Sequence, residues 1–352
     1  MPVSAVDLFC GAGGLTCGLQ QAGIRVLAGI DCDKDCCYAF EHNNQVRFIE
    51  SLIQNVTCEQ IAFLYPSNDI KVLVGCAPCQ PFSSHSNKVK KVKAEKDDRW
   101  FLLNYFLRLI QEVNPDIVSM ENVPLLSNQA IFKTFVNCLQ NENYWVNWKI
   151  VHCPDYDIPQ NRKRLVLLAS RYGDIELIPP TASKNLYKTV RDAIGSLKAI
   201  GAGESDPSDP LHKSSRLTYL NLQRIRQSIP GGTWRDWDDV LIGECHKRES
   251  GKSYSSVYAR MLWDKPSPTI TTEFFNYGTG RFGHPEQDRA LSLREGAILQ
   301  TFPTDYVFCK GSEFSFKKIG KMIGNAVPVR LGEVIGISIL RHLDKLEINY
   351  VR

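Results

Sequence analysis

The segment SAVDLFCGAGG (residues 4–14) decides the fold class, because an apolar run leads directly into a glycine-rich turn. Residues 4–9 predict a short strand, and a helix is expected from about residue 15 to 21. Glycine permits positive φ and lets the backbone approach a ligand closely. A second strand at 25–30 ends at Asp31, where a carboxylate can accept hydrogen bonds from ribose hydroxyls. The segment therefore indicates a nucleotide-type binding turn at the start of an α/β fold.

Strands and helices alternate from this turn to about Tyr172. Apolar runs at 72–75, 116–122 and 164–170 predict strands, and residues 100–113 have apolar side chains at helical spacing. The alternation predicts an α/β fold with a doubly wound, mostly parallel sheet. Turn-rich segments such as GAGESDPSDP (201–210) then indicate a second, smaller and irregular domain.

The expected domain limits follow from this change of pattern. We expect a catalytic domain at 1–180 plus 320–352, with the C-terminal apolar helix packing back on it. The smaller domain is expected at 181–319, and its most variable part at about 212–260.

Composition and charge are those of a soluble globular protein, with 42 basic and 38 acidic side chains in 352 residues. No apolar run approaches the roughly 20 residues that span a bilayer, and the first residues do not resemble a secretory signal. We therefore predict a cytoplasmic protein with no membrane association. Basic residues concentrate at 85–99 and 213–260, as on a phosphate-contacting surface. Solvated loops are the alternative interpretation of these two segments.

The glycine turn departs from the dinucleotide-binding pattern GxGxxG. Thr16 stands where the third glycine would be, which argues against a cofactor with a pyrophosphate. S-adenosylmethionine (SAM) carries an adenosine and a charged methionine tail without phosphate, so it suits the altered turn. A dinucleotide site and a plain tight turn remain alternatives.

Cys79 is the candidate nucleophile. The segment GCAPCQPFS (75–83) directly follows a predicted buried strand, so it lies at the carboxyl edge of the sheet, where α/β folds bind ligands. Pro78 and Pro81 fix φ on either side of Cys79, and a thiolate is a strong nucleophile. Inert packing is the alternative for a single cysteine. The spacing to Cys76 would also suit a redox pair or half a zinc site, but no second cysteine or histidine pair complements it, so no metal is predicted.

Five short motifs occur in an order and spacing that resemble one enzyme family. They are DLFCGAGG (7–14), PCQPFS (78–83), ENV (121–123), QNRKR (160–164) and GNAVP (324–328). In these five motifs the chain is similar to the C5-cytosine DNA methyltransferases of bacterial restriction-modification type. RALSLREGAILQTFP (289–303) also looks like a segment of that family. The resemblance covers nearly the whole chain apart from roughly 180–257.

The resemblance implies a mechanism and the residues that perform it. Cys79 would bond to C6 of a flipped-out cytosine while C5 takes the methyl group of SAM, which leaves S-adenosylhomocysteine as product. Glu121 would support the ring nitrogen N3. Arg164 would hold the base at O2, and Arg162 would orient Glu121; both are expected to project to one side of an extended segment.

The resemblance also implies the cofactor contacts. The implied SAM-binding residues are Phe9, Gly11, Ala12, Gly13, Gly14, Asp31, Pro78, Leu102, Asn325 and Val327. One departure concerns the aspartate that usually contacts the adenine amine. The corresponding stretch reads ESLIQ (50–54), so Ser51, Leu52 or Ile53 would fill that place.

Duplex DNA is the expected macromolecular partner. The polar, basic stretch 83–99 would be a mobile loop that closes over DNA, and the variable part of the small domain would select a short recognition sequence. The candidate DNA contacts are Ser84, His85, Lys88, Lys90, Lys91, Arg216, Arg224, Arg226, Arg235 and Arg260.

Two other functions share parts of this pattern. An RNA cytosine methyltransferase would carry the same catalytic motifs, and a DNA-binding module without activity would carry the same basic segments, although it would normally lack Cys79 or Glu121. The expected role is that of a monomeric methylase that protects DNA from a cognate restriction endonuclease encoded nearby. A solitary or phage-borne methylase is equally consistent with the chain.

Overall fold

The computed structural model describes residues 2–78, 102–249 and 251–350. The chain forms two compact units. The first consists of Met1–Tyr156, Lys163–Thr181 and Val327–Arg352, and the second of Asp157–Arg162 and Ala182–Ala326. The second unit thus includes residues 157–162 and 320–326, which the sequence analysis had placed in the first domain.

The strands in the described residues are, in chain order, β1 (Val3–Leu8), β2 (Arg25–Asp31), β3 (Arg47–Glu50), β4 (Ile70–Gly75), β5 (Ile117–Asn122), β6 (Trp145–His152), β7 (Gln160–Asn161), β8 (Lys163–Ser170), β9 (Ser205–Asp206), β10 (Asp209–Lys213) and β11 (Ser267–Pro268). The α-helices are Gly14–Gln21, Cys37–Asn44, Cys58–Ala62, Leu102–Val113, Ala130–Asn141, Val190–Ile194, Tyr219–Gln227, Glu244–Lys247, Leu293–Leu299, Phe316–Asn325 and Val329–Tyr350.

A seven-stranded sheet with the order β3-β2-β1-β4-β5-β8-β6 forms the centre of the first unit. Strands β1 to β5 pair in parallel, whereas β8 runs antiparallel to both of its neighbours. The strand order reverses between β1 and β4, which are in register up to Leu8 and Gly75. The carboxyl ends of strands beside such a reversal form the crevice in which doubly wound folds bind ligands. The expected mostly parallel, doubly wound sheet is confirmed.

Helices cover the sheet through apolar faces of regular spacing. In the helix Leu102–Val113, residues 103, 106, 107, 110 and 113 are buried in the main core, at the spacing of one helical face. The C-terminal helix Val329–Tyr350 packs against the helix Gly14–Gln21 so closely that a Cβ on Gly18 would lie 2.2 Å from the Val329 carbonyl oxygen. Glycine at this position is required by the close approach of the two backbones.

The helical stretch Phe316–Leu346 has the length and hydropathy of a membrane span, contrary to the sequence analysis. Its most apolar window has a mean hydropathy of 1.4, and 67% of that window is buried inside the protein. The core helix of a soluble protein passes the same test.

The second unit contains little regular structure, as the turn-rich sequence predicts. A short antiparallel pair, β9 with β10, and a parallel pair, β7 with β11, are its strands within the described residues. Trp234, Trp237 and Tyr277 pack with Ile225 in a small core. Elsewhere in this unit short helices and loops predominate.

Candidate active site

The turn after β1 is held in an unusual backbone conformation at the switch point of the sheet. Phe9 has φ +60°, and Gly11 and Gly13 also have positive φ. The Gly11 amide donates a hydrogen bond of 2.9 Å to Asp31 Oδ2, which ties the turn to the end of β2. Burial raises the pKa of the Asp31 carboxyl. Strain of this kind at a non-glycine residue is concentrated at ligand sites.

Asp7 is a buried acid on β1, just before this turn, that the sequence analysis missed. Its side chain lies in the middle of the sheet and is 1% exposed. The Thr16 hydroxyl donates a 2.7 Å hydrogen bond to Asp7 Oδ2, so the threonine that replaces the third glycine has a structural role. Burial raises the pKa of Asp7 to about 7. The available signal was an acidic residue inside an otherwise apolar strand.

The end of β4 leads to the predicted nucleophile. Cys76, Ala77 and Pro78 are described, whereas Cys79 lies outside the described residues. The Asn122 side-chain amide donates a 3.0 Å hydrogen bond to the Ala77 carbonyl oxygen, which fixes this segment to the end of β5. The predicted DNA-closing loop at 83–99 and its candidates Ser84, His85, Lys88, Lys90 and Lys91 also lie outside the described residues.

Glu121 is buried at the end of β5, with a side chain 3% exposed. The Cys76 thiol donates a hydrogen bond of 2.8 Å to Glu121 Oε2. Arg164 Nε lies 2.8 Å from Glu121 Oε1, but its N–H does not point at that oxygen, so the contact is an ion pair and Oε1 has no hydrogen-bond donor among the described residues. Among the described residues, the ion pair with Arg164 is therefore the polar contact of Oε1.

Register explains why Arg164 is the arginine that contacts Glu121. Glu121 pairs with Val166 across the antiparallel β5 and β8, and Arg164 is two residues from Val166 on the same face. The sequence analysis had given this place to Arg162 and had expected both arginines to project to one side. Arg162 precedes β8 and belongs to the second unit, and its role in orienting Glu121 stays a prediction.

Within the second unit, Arg162 and Gln160 form a buried network. Arg162 is 4% exposed, and its guanidinium donates hydrogen bonds to the carbonyl oxygens of Ile270, at 3.1 Å, and Ala326, at 3.4 Å. The Gln160 amide donates a 2.8 Å hydrogen bond to Gln300 Oε1. These contacts connect β7 to the C-terminal part of the unit.

The other predicted cofactor residues are distributed over both units. Ala12 is buried in the turn, Gly14 opens the first helix, Pro78 is exposed and Leu102 is half-buried at the start of its helix. Asn325 is exposed at the end of a helix of the second unit, and Val327 is buried in the first unit. Of the three candidates for the adenine contact, Ile53 is buried in the main core. Ser51 and Leu52 therefore remain the candidates for that contact.

The five arginines predicted to contact DNA differ in exposure. Arg216, Arg226 and Arg235 are exposed. Arg224 is half-buried, donates a hydrogen bond to the Leu241 carbonyl oxygen and stacks on the rings of Trp237 and Tyr258. Fewer of its N–H donors are therefore available to contact DNA.

Arg260 is a correction to the sequence analysis. It is 4% exposed, and its guanidinium donates hydrogen bonds to the carbonyl oxygens of Ile225, Ser228, His284 and Gln287 and to the Asp288 carboxylate. With its donors used inside the unit, Arg260 stabilises the fold and is not a DNA contact.

The fold and the site together define a class. The sheet is doubly wound, with a glycine turn and a partly buried acid, Asp31, at its switch point and a Glu–Arg pair at a neighbouring strand end. This combination is typical of a nucleoside-cofactor enzyme. No group of three or more metal-ligating side chains occurs in the described residues. The two desolvated acids beside the turn, Asp7 and Asp31, suit a cofactor that carries positive charge.

Comparisons with known proteins identify the family within this class. The sequence model of the C-5 cytosine-specific DNA methylases matches residues 3–341. The chain is 53% identical to the type II methylase M.HgiDII of Herpetosiphon aurantiacus over 97% of this chain and 96% of that protein. It is 31% identical to the type II methyltransferase M.Eco47II of Escherichia coli over 97% of this chain and 80% of that protein. This chain belongs to the C-5 cytosine-specific DNA methylase family.

A solved structure supports the fold. The structure of the S. pombe Dnmt2 methyltransferase matches with a TM-score of 0.65 and 19% identity, and the match covers 98% of this chain and 99% of that one. At this identity the likeness concerns the fold alone. Membership of the family makes the chain a DNA (cytosine-5-)-methyltransferase with SAM as its cofactor.

Proposed function

We propose that the chain methylates carbon 5 of a flipped-out cytosine in a short, specific duplex DNA sequence, through a transient bond between Cys79 and C6 of the base. The observation that carries the proposal is the position of Glu121. Its carboxyl lies at the carboxyl edge of the sheet and accepts a hydrogen bond from Cys76, three residues before Cys79. The Asn122 amide holds the intervening backbone in place.

The reaction needs electron density at C5, which is a weak nucleophile in cytosine. The Cys79 thiolate adds to C6, and the electron density added at N3 is relieved by a proton that the Glu121 carboxyl group donates to the ring nitrogen and takes back when the adduct breaks down. Bound SAM supplies the methyl group that C5 attacks. A base then removes the proton from C5, and the bond between sulfur and C6 breaks, which restores the thiolate and the aromatic ring.

Arg164 has two roles in this proposal. Its guanidinium pairs with Glu121 Oε1 and fixes the carboxylate. Because Nε–H does not point at that oxygen, the same guanidinium has donors left for the O2 atom of the base. The base itself must leave the duplex, at a cost of a few kcal/mol, because its reacting atoms are inaccessible in the stack.

The relatives favour a biological role. M.HgiDII and M.Eco47II carry the name of type II methylases, which supports a modification methylase that protects DNA from a cognate restriction endonuclease. We further propose that the protein acts as a cytoplasmic monomer. The exposed Arg216, Arg226 and Arg235 are the proposed DNA contacts of the second unit.

A trapping experiment tests the mechanism. Plasmid DNA from cells that express the protein is bisulfite-sequenced to find the modified site, and a duplex with 5-fluorocytosine at that site is then incubated with the protein and SAM. We expect a covalent adduct, because fluorine cannot leave C5 as a proton does. Cys79→Ser should form none, and Cys138→Ser, which alters a cysteine of the helix Ala130–Asn141, should form it normally. An adduct with Cys79→Ser would contradict the proposal, and methylation of tRNA in place of duplex DNA would refute the substrate.

A further inference from the structure

Asp288 joins two arginines of the second unit that differ in burial. Nη2 of the buried Arg260 donates a hydrogen bond to Asp288 Oδ1, and Nε of Arg226 lies 3.5 Å from Asp288 Oδ2. The side chains of Arg226 and Asp288 are 55% and 43% exposed. The carboxylate therefore connects a cation inside the unit to a cation on its surface.

The helix Tyr219–Gln227 brings Arg226 to this carboxylate, because Arg226 lies in its last turn. The Arg260 guanidinium also donates hydrogen bonds of 2.9 Å to the carbonyl oxygens of Ile225 and Ser228 at the same helix end. One buried side chain thus contacts both the end of the helix and Asp288. The fold therefore determines where Arg226 meets the carboxylate.

The three side chains together carry a net positive charge, from two guanidinium groups and one carboxylate. The contact between Arg226 and Asp288 is an ion pair without a hydrogen bond. Within the described part of the chain, no other group accepts a hydrogen bond from the Arg226 guanidinium. Its five N–H donors therefore remain available to a second anion.

This arrangement suits a phosphate better than the edge of a base. Reading a guanine needs two parallel hydrogen bonds, hence a guanidinium plane of fixed orientation. Arg235 is held in such a way, by a hydrogen bond to the Lys252 carbonyl oxygen and by the Trp234 ring. A single ion contact of 3.5 Å leaves the plane of Arg226 free to rotate, which is sufficient for a phosphate, whose attraction is mainly that of its charge.

We propose that Asp288 is a positioning residue for DNA binding, which holds Arg226 in place for one phosphate of the DNA backbone. The proposal rests on duplex DNA as the substrate in the proposed function. Because a phosphate contact carries no sequence information, the pair should strengthen binding to every duplex alike. A surface ion pair that does not touch DNA would leave the salt dependence of binding unchanged.

The first test is the salt dependence of DNA binding by the full chain. Fluorescence anisotropy measures the dissociation constants of two labelled duplexes, one with the methylation site and one without it, between about 50 and 200 mM KCl. A phosphate contact contributes about 0.9 to the slope of log affinity against log salt, so Arg226→Gln should reduce the effect of this salt step by about 3.5-fold on both duplexes. Arg226→Lys keeps the charge and should keep the slope of the parent.

Asp288→Asn tests the positioning itself. It keeps an oxygen for the Arg260 hydrogen bond but removes the charge that holds Arg226. We expect the affinity for both duplexes to fall about threefold, because binding must then order a free arginine side chain. Asp288→Glu should restore much of the loss. In the Arg226→Gln background Asp288→Asn should have no effect, because Asp288 acts through Arg226.

Asp264→Asn is the matched control. Asp264 accepts two hydrogen bonds from Arg191, whose side chain is also 55% exposed, in the same unit. The carboxylate thus occupies donors of Arg191 that a phosphate would need. Asp264→Asn should therefore leave the slope and the affinity for both duplexes at the values of the parent.

Four results would overturn the proposal. They are an unchanged salt slope in Arg226→Gln, tighter DNA binding by Asp288→Asn, an effect of Asp288→Asn that persists without Arg226, and an altered methylated sequence in Arg226→Lys, which would assign Arg226 to a base. If Asp288→Asn does not fold, the two Arg226 variants still decide. Failure of the parent to bind either duplex would instead contradict duplex DNA as the substrate.

Discussion

Arg164→Gln should destabilise the first unit far more than the loss of an ordinary ion pair. The Arg164 and Glu121 side chains are 13% and 3% exposed, and Nε lies 2.8 Å from Oε1. Removal of one partner of a buried pair leaves a desolvated charge behind, at a cost of about 3 kcal/mol or more. The Arg191–Asp264 pair has the same separation of 2.8 Å, but its side chains are 55% and 78% exposed. Arg191→Gln should therefore cost less than about 1 kcal/mol.

A double-mutant cycle separates the buried charge from other effects of the substitution. Glu121→Gln removes the charge that Arg164 compensates, so Arg164→Gln should be tolerated much better in that background. We expect the double variant to be more stable than the sum of the two single changes predicts, by about 2 kcal/mol.

The assay is unfolding in guanidinium chloride, followed by circular dichroism, for the parent, the two single variants, the double variant and Arg191→Gln. If the effects of Arg164→Gln and Glu121→Gln add to within about 0.5 kcal/mol, the two side chains do not interact and the reasoning is refuted. Equal destabilisation by Arg164→Gln and Arg191→Gln would show that burial does not determine the cost.

Three further predictions follow from single contacts. Gly18→Ala places a Cβ 2.2 Å from the Val329 carbonyl oxygen, so the free energy of unfolding should fall by about 3 kcal/mol in thermal unfolding. Gly311→Ala should be neutral, because no atom lies within 4 Å of the new Cβ. Equal melting temperatures for the two variants would contradict this account. Cys76→Val removes the hydrogen-bond donor to Glu121 and should lower kcat about tenfold. Cys76→Ser retains a donor at this position and should keep kcat near the parent value. A normal kcat in Cys76→Val would mean that the thiol does not position the carboxylate. Arg260→Gln should lower the free energy of unfolding of the second unit, but bisulfite sequencing should find the same methylated DNA sequence. An altered recognition sequence would indicate that Arg260 contacts DNA after all.

The alternation of strands and helices was enough to predict the doubly wound sheet, because each parallel strand pair needs a crossover that is visible in the sequence. The antiparallel direction of β8 was also detectable. Only residues 153–162 separate β6 from β8, which is too short for a helical crossover. The position of Asp31 at the end of β2 followed from the same local pattern.

Burial and register were the parts that local sequence does not determine. Arg226 and Arg260 both lie in the basic segment 213–260, and the carbonyl groups that converge on Arg260 in the folded unit distinguish it from the exposed Arg226. Arg162 and Arg164 alternate as expected of an extended segment, but β8 begins between them, at Lys163. Asp7 was missed because its pairing depends on Thr16, nine positions away on the following helix.

The close packing of Val329–Tyr350 against Gly14–Gln21 has a consequence for synthesis of the protein on the ribosome. The partner of the first helix is made last, after the 145 residues from Ala182 to Ala326 of the second unit. At roughly 5 to 20 residues per second, translation of that segment takes about 7 to 30 s. During this interval Leu15 and Leu19 of the first helix await the residues that cover them, so a nascent chain needs protection from aggregation there, and the second unit has time to fold before the first is complete.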